Sequence, residues 1–114
     1  MNRDPIVFLE DIKSAIERIE RCVQGQTYTD FVNDEKGLYA VLMNLSIIGE
    51  AANNIPDSIR SIALSVPWKK IIGMRNKLVH EYWGFDTKTV WETIGESLPE
   101  LKREVELLMK KFET

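Results

Sequence analysis

The chain has 114 residues, 44% of them apolar, which suits one hydrophobic core, so we predict a single domain spanning residues 1–114. The net charge of -3 argues against a protein that coats nucleic acid by bulk electrostatics, so any contact with nucleic acid must be local. Cys22 is the only cysteine and His80 the only histidine, which excludes an intramolecular disulfide and argues against a zinc site.

Neither the start of the chain nor its apolar stretches predict membrane targeting. The first five residues are polar and lead into an amphipathic pattern, unlike a signal peptide. The longest apolar stretch, 38–48, is interrupted by Asn44 and Ser46 and is too short to span a bilayer. We therefore expect a cytoplasmic protein.

Apolar residues recur at three- and four-residue steps along nearly the whole chain, which predicts helices. The first helix begins after Asp4, a good N-cap, with Pro5 at its first position, and continues to Gly25. The stretch 25–34 is rich in polar residues and is predicted to be a loop whose two aromatic side chains pack against the core.

Capping residues and prolines set the bounds of the later helices. A second helix is capped by Asp34 and ends at Asn53 and Asn54, and the next ones start at Asp57, Pro67 and after Asp86. Pro99 is expected to kink or interrupt the last one. No alternating strand pattern occurs, so we predict an all-α fold, an antiparallel bundle of four main helices with a short extra helix.

Two glycines, Gly49 and Gly73, lie inside predicted helices, where each costs up to about 1 kcal/mol relative to alanine. Close helix packing would account for both. For Gly73, two residues before Arg75, room for a ligand or a partner chain is a second explanation.

The strongest candidates for catalytic residues lie in the segment Arg75-Asn76-Lys77-Leu78-Val79-His80-Glu81-Tyr82. A histidine with an unperturbed pKa of about 6.5 acts as acid or base near neutral pH, and a neighbouring arginine suits a phosphate, so a phosphodiester is the expected substrate. On a helix turning about 100° per residue, Arg75 and His80 lie about 140° apart, whereas Asn76 shares a face with His80 and Tyr82 with Arg75.

Two arrangements could bring Arg75 and His80 to one phosphate. The helix could end or loosen near His80, with Gly84 just beyond, or the site could be assembled from two chains. The chemistry favours two chains, because RNA transesterification without metal needs a base and an acid and each chain has a single histidine. Two-fold pairing would supply a second one.

The spacing of Arg75, His80 and Tyr82 resembles the Arg-x4-His-x-Tyr motif of the HEPN superfamily, in particular of its HepT-like toxins. The resemblance covers nearly the whole chain. Besides the motif, the residues that carry it are Asp34-Glu35-Lys36, the stretch 44–52, Pro67-Trp68, the stretch 71–76, and Val90-Trp91 through Leu98-Pro99 to Leu101.

The resemblance implies a HEPN-like domain with metal-independent endoribonuclease activity, the toxin of a type VII-like toxin–antitoxin pair. It further implies a homodimer without cofactor or metal, whose partners are an RNA substrate and a cognate minimal nucleotidyltransferase antitoxin, MntA-like. That antitoxin would adenylylate the motif tyrosine, here Tyr82, to O-AMP-tyrosine.

In this interpretation Arg75 stabilises the charge that builds on phosphorus, and His80 is the base or acid. Asn76 orients His80, while Tyr82 lines the site and acts as its regulatory switch. Other interpretations stay open: a non-catalytic module that docks a nucleotidyltransferase and its nucleotide or substrate, or a structural helical dimer. The cluster could also be an ordinary helix C-terminus with a surface ion pair.

Four polar residues outside the motif have two possible roles each. Asn44 and Glu50, on the second helix, could orient the motif or simply support the bundle. Lys69 and Lys70 could contact RNA phosphates or form a solvated helix start.

Overall fold

The computed structural model describes residues 4–80 and 86–112, without the side chains of residues 77–80. Every regular element in these ranges is helical, which confirms the predicted all-α bundle. The elements are α1 (Pro5–Val23), α2 (Tyr28–Asn33), α3 (Glu35–Asn53), α4 (Asp57–Arg60) with a 3₁₀ turn (Ser61–Ala63), α5 (Trp68–His80), α6 (Thr87–Glu92), a π-helical segment (Thr93–Ser97) and α7 (Leu98–Lys111). The four main helical regions are α1, α3, α5 and the continuous run from α6 through α7. None of the helices in the described ranges is long and apolar enough to cross a membrane.

Two aspartates cap the helices that they were predicted to cap. Asp4 Oδ1 accepts from the backbone N–H of Ile6 at 3.0 Å, and Asp34 Oδ1 accepts from that of Gly37 at 3.0 Å. The Gly37 bond, together with a bond from Gln26 Nε2, holds the pKa of Asp34 below its ordinary value. Side-chain oxygens thus satisfy backbone donors that a helix start leaves free.

The prediction of a loop over residues 25–34 is wrong for most of that stretch, because α2 occupies Tyr28–Asn33. The Thr27 hydroxyl accepts from Asp30 N at 3.1 Å, and the Asp30 carboxylate accepts from Thr27 N at 3.0 Å. This reciprocal capping box stabilises a short helix in a polar stretch. Phe31 packs in the core as expected, whereas Tyr28 stays 38% exposed.

Buried apolar side chains of the three longest helical regions form one hydrophobic core. They include Leu9, Ile12, Ile16 and Ile19 of α1, Val41, Leu45 and Ile48 of α3, and Leu98, Leu101, Val105 and Leu108 of α7. Full burial of such a side chain contributes about 1.5–3 kcal/mol. Because α3 packs against both α1 and α5, it is the helix that holds α5 on the core.

The predicted interruption at Pro99 is confirmed. Proline lacks the N–H that would continue the α-helical ladder, and the chain widens into the π-helical segment immediately before it. There the N–H of Leu98 donates to the carbonyl of Thr93, five residues earlier. Pro99 then lies in the first turn of α7, which continues directly from the π-helical segment.

Candidate active site

The start of α5 is anchored by Trp68. Its indole Nε1 donates to the carbonyl oxygens of Arg60 and Ala63, each at 3.1 Å, and its ring is buried. The neighbouring Lys69 and Lys70 are exposed. Trp68 therefore fixes α5 against the α4 region and leaves the two lysines at the surface.

Halfway along α5, Arg75 makes an exceptionally close contact with α3. A Cβ built on Gly49 would lie 2.3 Å from Arg75 Cβ, 3.1 Å from the Ile71 carbonyl oxygen and 3.2 Å from Arg75 Cα. A side chain at residue 49 would force the two helices apart. Close packing thus explains Gly49, as predicted.

Gly73 has a different environment. It is exposed, and among the described residues no atom lies within 4 Å of a Cβ built on it. Close packing therefore does not account for Gly73 within that part of the chain. Room for a ligand or a partner chain stays a prediction.

The guanidinium of Arg75 is held at two of its nitrogens. Nε lies 2.9 Å from Glu50 Oε2, and Nη1 donates to Asn76 Oδ1 at 2.9 Å. The side chains of Arg75 and Glu50 are 34% and 54% exposed, so the pair contributes only about 0–1 kcal/mol to folding. Its clearer effect is to direct the guanidinium.

The structure brings together Arg75 and Asn76 of the predicted site. α5 is helical through His80, so it does not loosen before that residue, but the side chain of His80 and the whole of Tyr82 lie outside the described parts. Helical spacing keeps the backbone positions of Arg75 and His80 about 140° apart. The hydrogen bond to Asn76 draws the guanidinium toward the face on which Asn76 and His80 lie four residues apart.

Of the two α3 residues that could orient the motif, Asn44 and Glu50, only Glu50 has a described contact with it. Asn44 is buried, and its Oδ1 accepts from Arg18 Nε at 2.8 Å while its Nδ2 donates to the Ala40 carbonyl at 2.8 Å. These bonds join Asn44 to α1 and to its own helix. Asn44 therefore supports the bundle.

A mainly apolar groove of about 310 Å³ lies beside α5, between it and the α6–α7 region. Gly73 and Lys70 line one side, and Thr89 and Thr93 line the other. Arg75 and Asn76 are not among its lining residues, so the groove adjoins the predicted site without containing it. Within 4–80 and 86–112, no three histidine, cysteine, aspartate or glutamate side chains are grouped to hold a metal ion.

Comparison with known proteins supplies independent information. Residues 12–108 match the family model described as ribonuclease HepT-like. The chain is 41% identical over 110 residues to a Thermococcus cleftensis protein named "Probable ribonuclease HepT", covering 96% of this chain and 100% of the relative. A "Putative RNase" of Methanocaldococcus jannaschii is 41% identical over 111 residues, covering 97% of this chain and 96% of the relative. A second protein named "Putative RNase", from Caldanaerobacter subterraneus subsp. tengcongensis, is 40% identical over 109 residues, covering 96% of this chain and 97% of the relative. No solved structure matches significantly.

Proposed function

Because the chain belongs to the ribonuclease HepT-like family, we propose that it is an endoribonuclease whose site is built on Arg75 and His80 of α5. The observation that carries this proposal is the partly exposed guanidinium of Arg75, directed by Glu50 and Asn76. A fixed, permanently charged fork suits a phosphodiester. We propose that residues 1–114 form one HEPN-like domain.

Cleavage in this proposal uses the ribose 2′-hydroxyl and no metal. A histidine takes the 2′-hydroxyl proton, the 2′-oxygen attacks phosphorus, and the bond from phosphorus to the 5′-oxygen breaks. An acid, the second histidine of a two-fold pair, protonates the leaving 5′-oxygen. The products are a 2′,3′-cyclic phosphate and a 5′-hydroxyl end. The family resemblance supports metal independence, and so does the finding that within the described residues no three histidine, cysteine, aspartate or glutamate side chains are grouped to hold a metal ion.

Arg75 stabilises the charge that builds on the non-bridging phosphate oxygens. Of the five N–H donors of a guanidinium, the hydrogen bond to Asn76 uses one on Nη1, while the carboxylate of Glu50 forms an ion pair at Nε. The described contacts therefore leave one N–H on Nη1 and two on Nη2. Asn76 orients His80 from one helical turn earlier. The bond from Arg75 to Asn76 supports this role, because it links the cation to the face that carries the histidine position.

The biological setting that fits the resemblance is a cytoplasmic toxin of a type VII-like pair. It acts as a homodimer and is neutralised when an MntA-like nucleotidyltransferase adenylylates Tyr82. The single histidine per chain supports the dimer, since the acid–base pair then draws on two chains.

Cleavage of RNA by the purified protein in the presence of a chelator tests the proposal. His80→Ala should lose at least about 100-fold in rate, the usual contribution of an acid–base group. Glu106→Ala is the control, because Glu106 lies on α7 in a loose 3.8 Å ion pair with Lys13. A His80→Ala protein that still cleaves, or cleavage of a substrate with a 2′-deoxy scissile nucleotide, contradicts the mechanism. If the wild-type protein binds the nucleotidyltransferase tightly but cleaves no RNA, the alternative of a non-catalytic binding module is favoured.

A further inference from the structure

Arginine has a long and flexible side chain, and a phosphate-binding guanidinium works best when its direction is set before the phosphate arrives. Within α5, Arg75 lies on the side that faces α3, about 140° from His80. A group that fixes the direction of its guanidinium would therefore set how the outer nitrogens meet a phosphate.

Glu50 is placed to do this. Its carboxylate lies 2.9 Å from Arg75 Nε. Glu50 directly follows Gly49, the glycine that lets α5 approach α3 this closely. We infer that Glu50 is a positioning residue that holds Nε of Arg75 so that the outer edge of the guanidinium meets the substrate phosphate. This inference rests on the proposed ribonuclease function, whose Arg75 it serves.

The donors left over agree with this role. Glu50 forms an ion pair at Nε, and Asn76 accepts one N–H of Nη1, so the described contacts leave one N–H on Nη1 and two on Nη2. These remaining N–H groups can donate charge-assisted hydrogen bonds to phosphate oxygens. Glu50 and a phosphate can therefore occupy the same guanidinium at once.

A carboxylate beside a phosphate-binding cation could instead compete with the phosphate. The two roles predict opposite signs: removing a competitor raises activity, whereas removing a positioning group lowers it. Because the Glu50 side chain is 54% exposed, its ion pair with Arg75 contributes little to folding. Whether activity rises or falls when the carboxylate is removed can therefore be measured without a large loss of stability.

Three variants of the full-length protein separate the possibilities in steady-state cleavage of RNA. Glu50→Ala should lower kcat/KM about tenfold, the equivalent of one charged hydrogen bond screened by solvent. Glu50→Gln should lower kcat/KM by a similar amount, because it keeps the size of the side chain but removes the charge that pairs with Arg75. Glu20→Ala is the matched control, since Glu20 is 47% exposed and lies 3.0 Å from Lys102 of α7. It should match the wild type.

A double-mutant cycle tests whether Glu50 acts through Arg75. In an Arg75→Lys background, which lacks Nε, Glu50→Ala should cause no further loss. A rise in rate for Glu50→Ala, or an equal loss with and without the arginine, overturns the inference.

A spectroscopic readout keeps this test independent of the proposed function. The Arg75 Nε resonance, identified by its loss in Arg75→Ala, should leave its wild-type chemical shift in both Glu50→Ala and Glu50→Gln, because both remove the carboxylate beside it, and should keep it in Glu20→Ala. An unchanged resonance in the two Glu50 variants overturns the positioning role. Wild-type protein that cleaves no RNA, with this pattern of shifts intact, refutes the ribonuclease and leaves the Glu50 contact established.

Discussion

Gly49 of α3 lies so close to Arg75 of α5 that a methyl group on residue 49 would stand 2.3 Å from Arg75 Cβ. The next residue, Glu50, carries the carboxylate 2.9 Å from Arg75 Nε. Two consecutive residues of α3 thus provide the gap that admits the arginine and the group that directs it. The spacing of α3 and α5 is therefore tied to the geometry of the proposed site.

The two helical glycines should respond oppositely to alanine. Gly49→Ala should destabilise the protein by about 1–3 kcal/mol, because the added methyl group collides with α5. Gly73→Ala should stabilise it by about 0.5–1 kcal/mol, because the residue is helical and exposed and the methyl group meets nothing described within 4 Å. Urea unfolding of both variants beside the wild type measures the difference, and equal effects would contradict the packing at Gly49.

The same Gly73→Ala protein decides why that glycine is there. If RNA or a second chain occupies the space beside Gly73, the variant should unfold at a higher urea concentration than the wild type. It should nevertheless cleave RNA more slowly or form the dimer more weakly. An alanine that improves stability and leaves both properties intact would show that the room at Gly73 is unused.

Much of the fold could be predicted from the sequence because its signals are local. Asp4 and Asp34 are good N-caps and Pro99 cannot continue a helix, and each acts as expected. The exception is α2, whose capping box uses aspartate at the position where glutamate or glutamine is the usual signal.

The site could be predicted only in part, because its residues come from two helices. Arg75 and Asn76 are neighbours in sequence, and their chemistry identifies them. That Glu50 rather than Asn44 contacts the motif depends on how α3 packs against α5, which helical periodicity alone does not determine. Gly49 was the available signal, since a glycine inside a helix marks a close approach, and the residue beside it is then near the partner helix.

Stability at acid pH should depend on Asp34. Hydrogen bonds from Gly37 N and then Gln26 lower the pKa of Asp34, so this carboxylate stabilises the fold fully above its unfolded pKa of about 4. The contribution is lost as pH falls through the lower, folded pKa. Asp34→Ala should therefore melt earlier than the wild type at pH 7, and the gap in melting temperature should narrow below about pH 4. Asp34→Asn, which keeps an acceptor oxygen but does not titrate, is the control. A gap that widens in acid would refute the assignment.

The protein should form a dimer through α5. The single histidine and the angular separation of Arg75 from His80 call for a cleft shared by two chains. Sedimentation at micromolar concentration should show the dimer, and a fully active monomer would disprove it.

Mixing experiments show whether the two chains share one site. Wild type refolded with a fivefold excess of His80→Ala should lose most of its activity, because most wild-type chains then pair with an inactive one. Glu106→Ala in the same excess should not suppress cleavage. Sites complete within one chain predict that the His80→Ala mixture keeps the full activity of its wild-type chains.

Tyr82, which lies outside the described residues, should be the off switch. The sequence spacing of seven residues predicts that Tyr82 shares a face with Arg75, and on that prediction the phosphate of an adenylylated Tyr82 would reach the guanidinium needed by the substrate. Tyr82→Phe should keep most of its cleavage activity yet escape inhibition by the partner nucleotidyltransferase and ATP. Arg75→Ala should lose cleavage outright.

Mass spectrometry after incubation with the partner and ATP locates the adduct, and catalytically dead partner separates modification from binding. Dead partner should leave the wild type active, because occupation of the site by the attached nucleotide is what blocks it. If nucleotide is added elsewhere, or if dead partner inhibits wild type and Tyr82→Phe equally, the block arises from docking of the partner, and Tyr82 is not the switch.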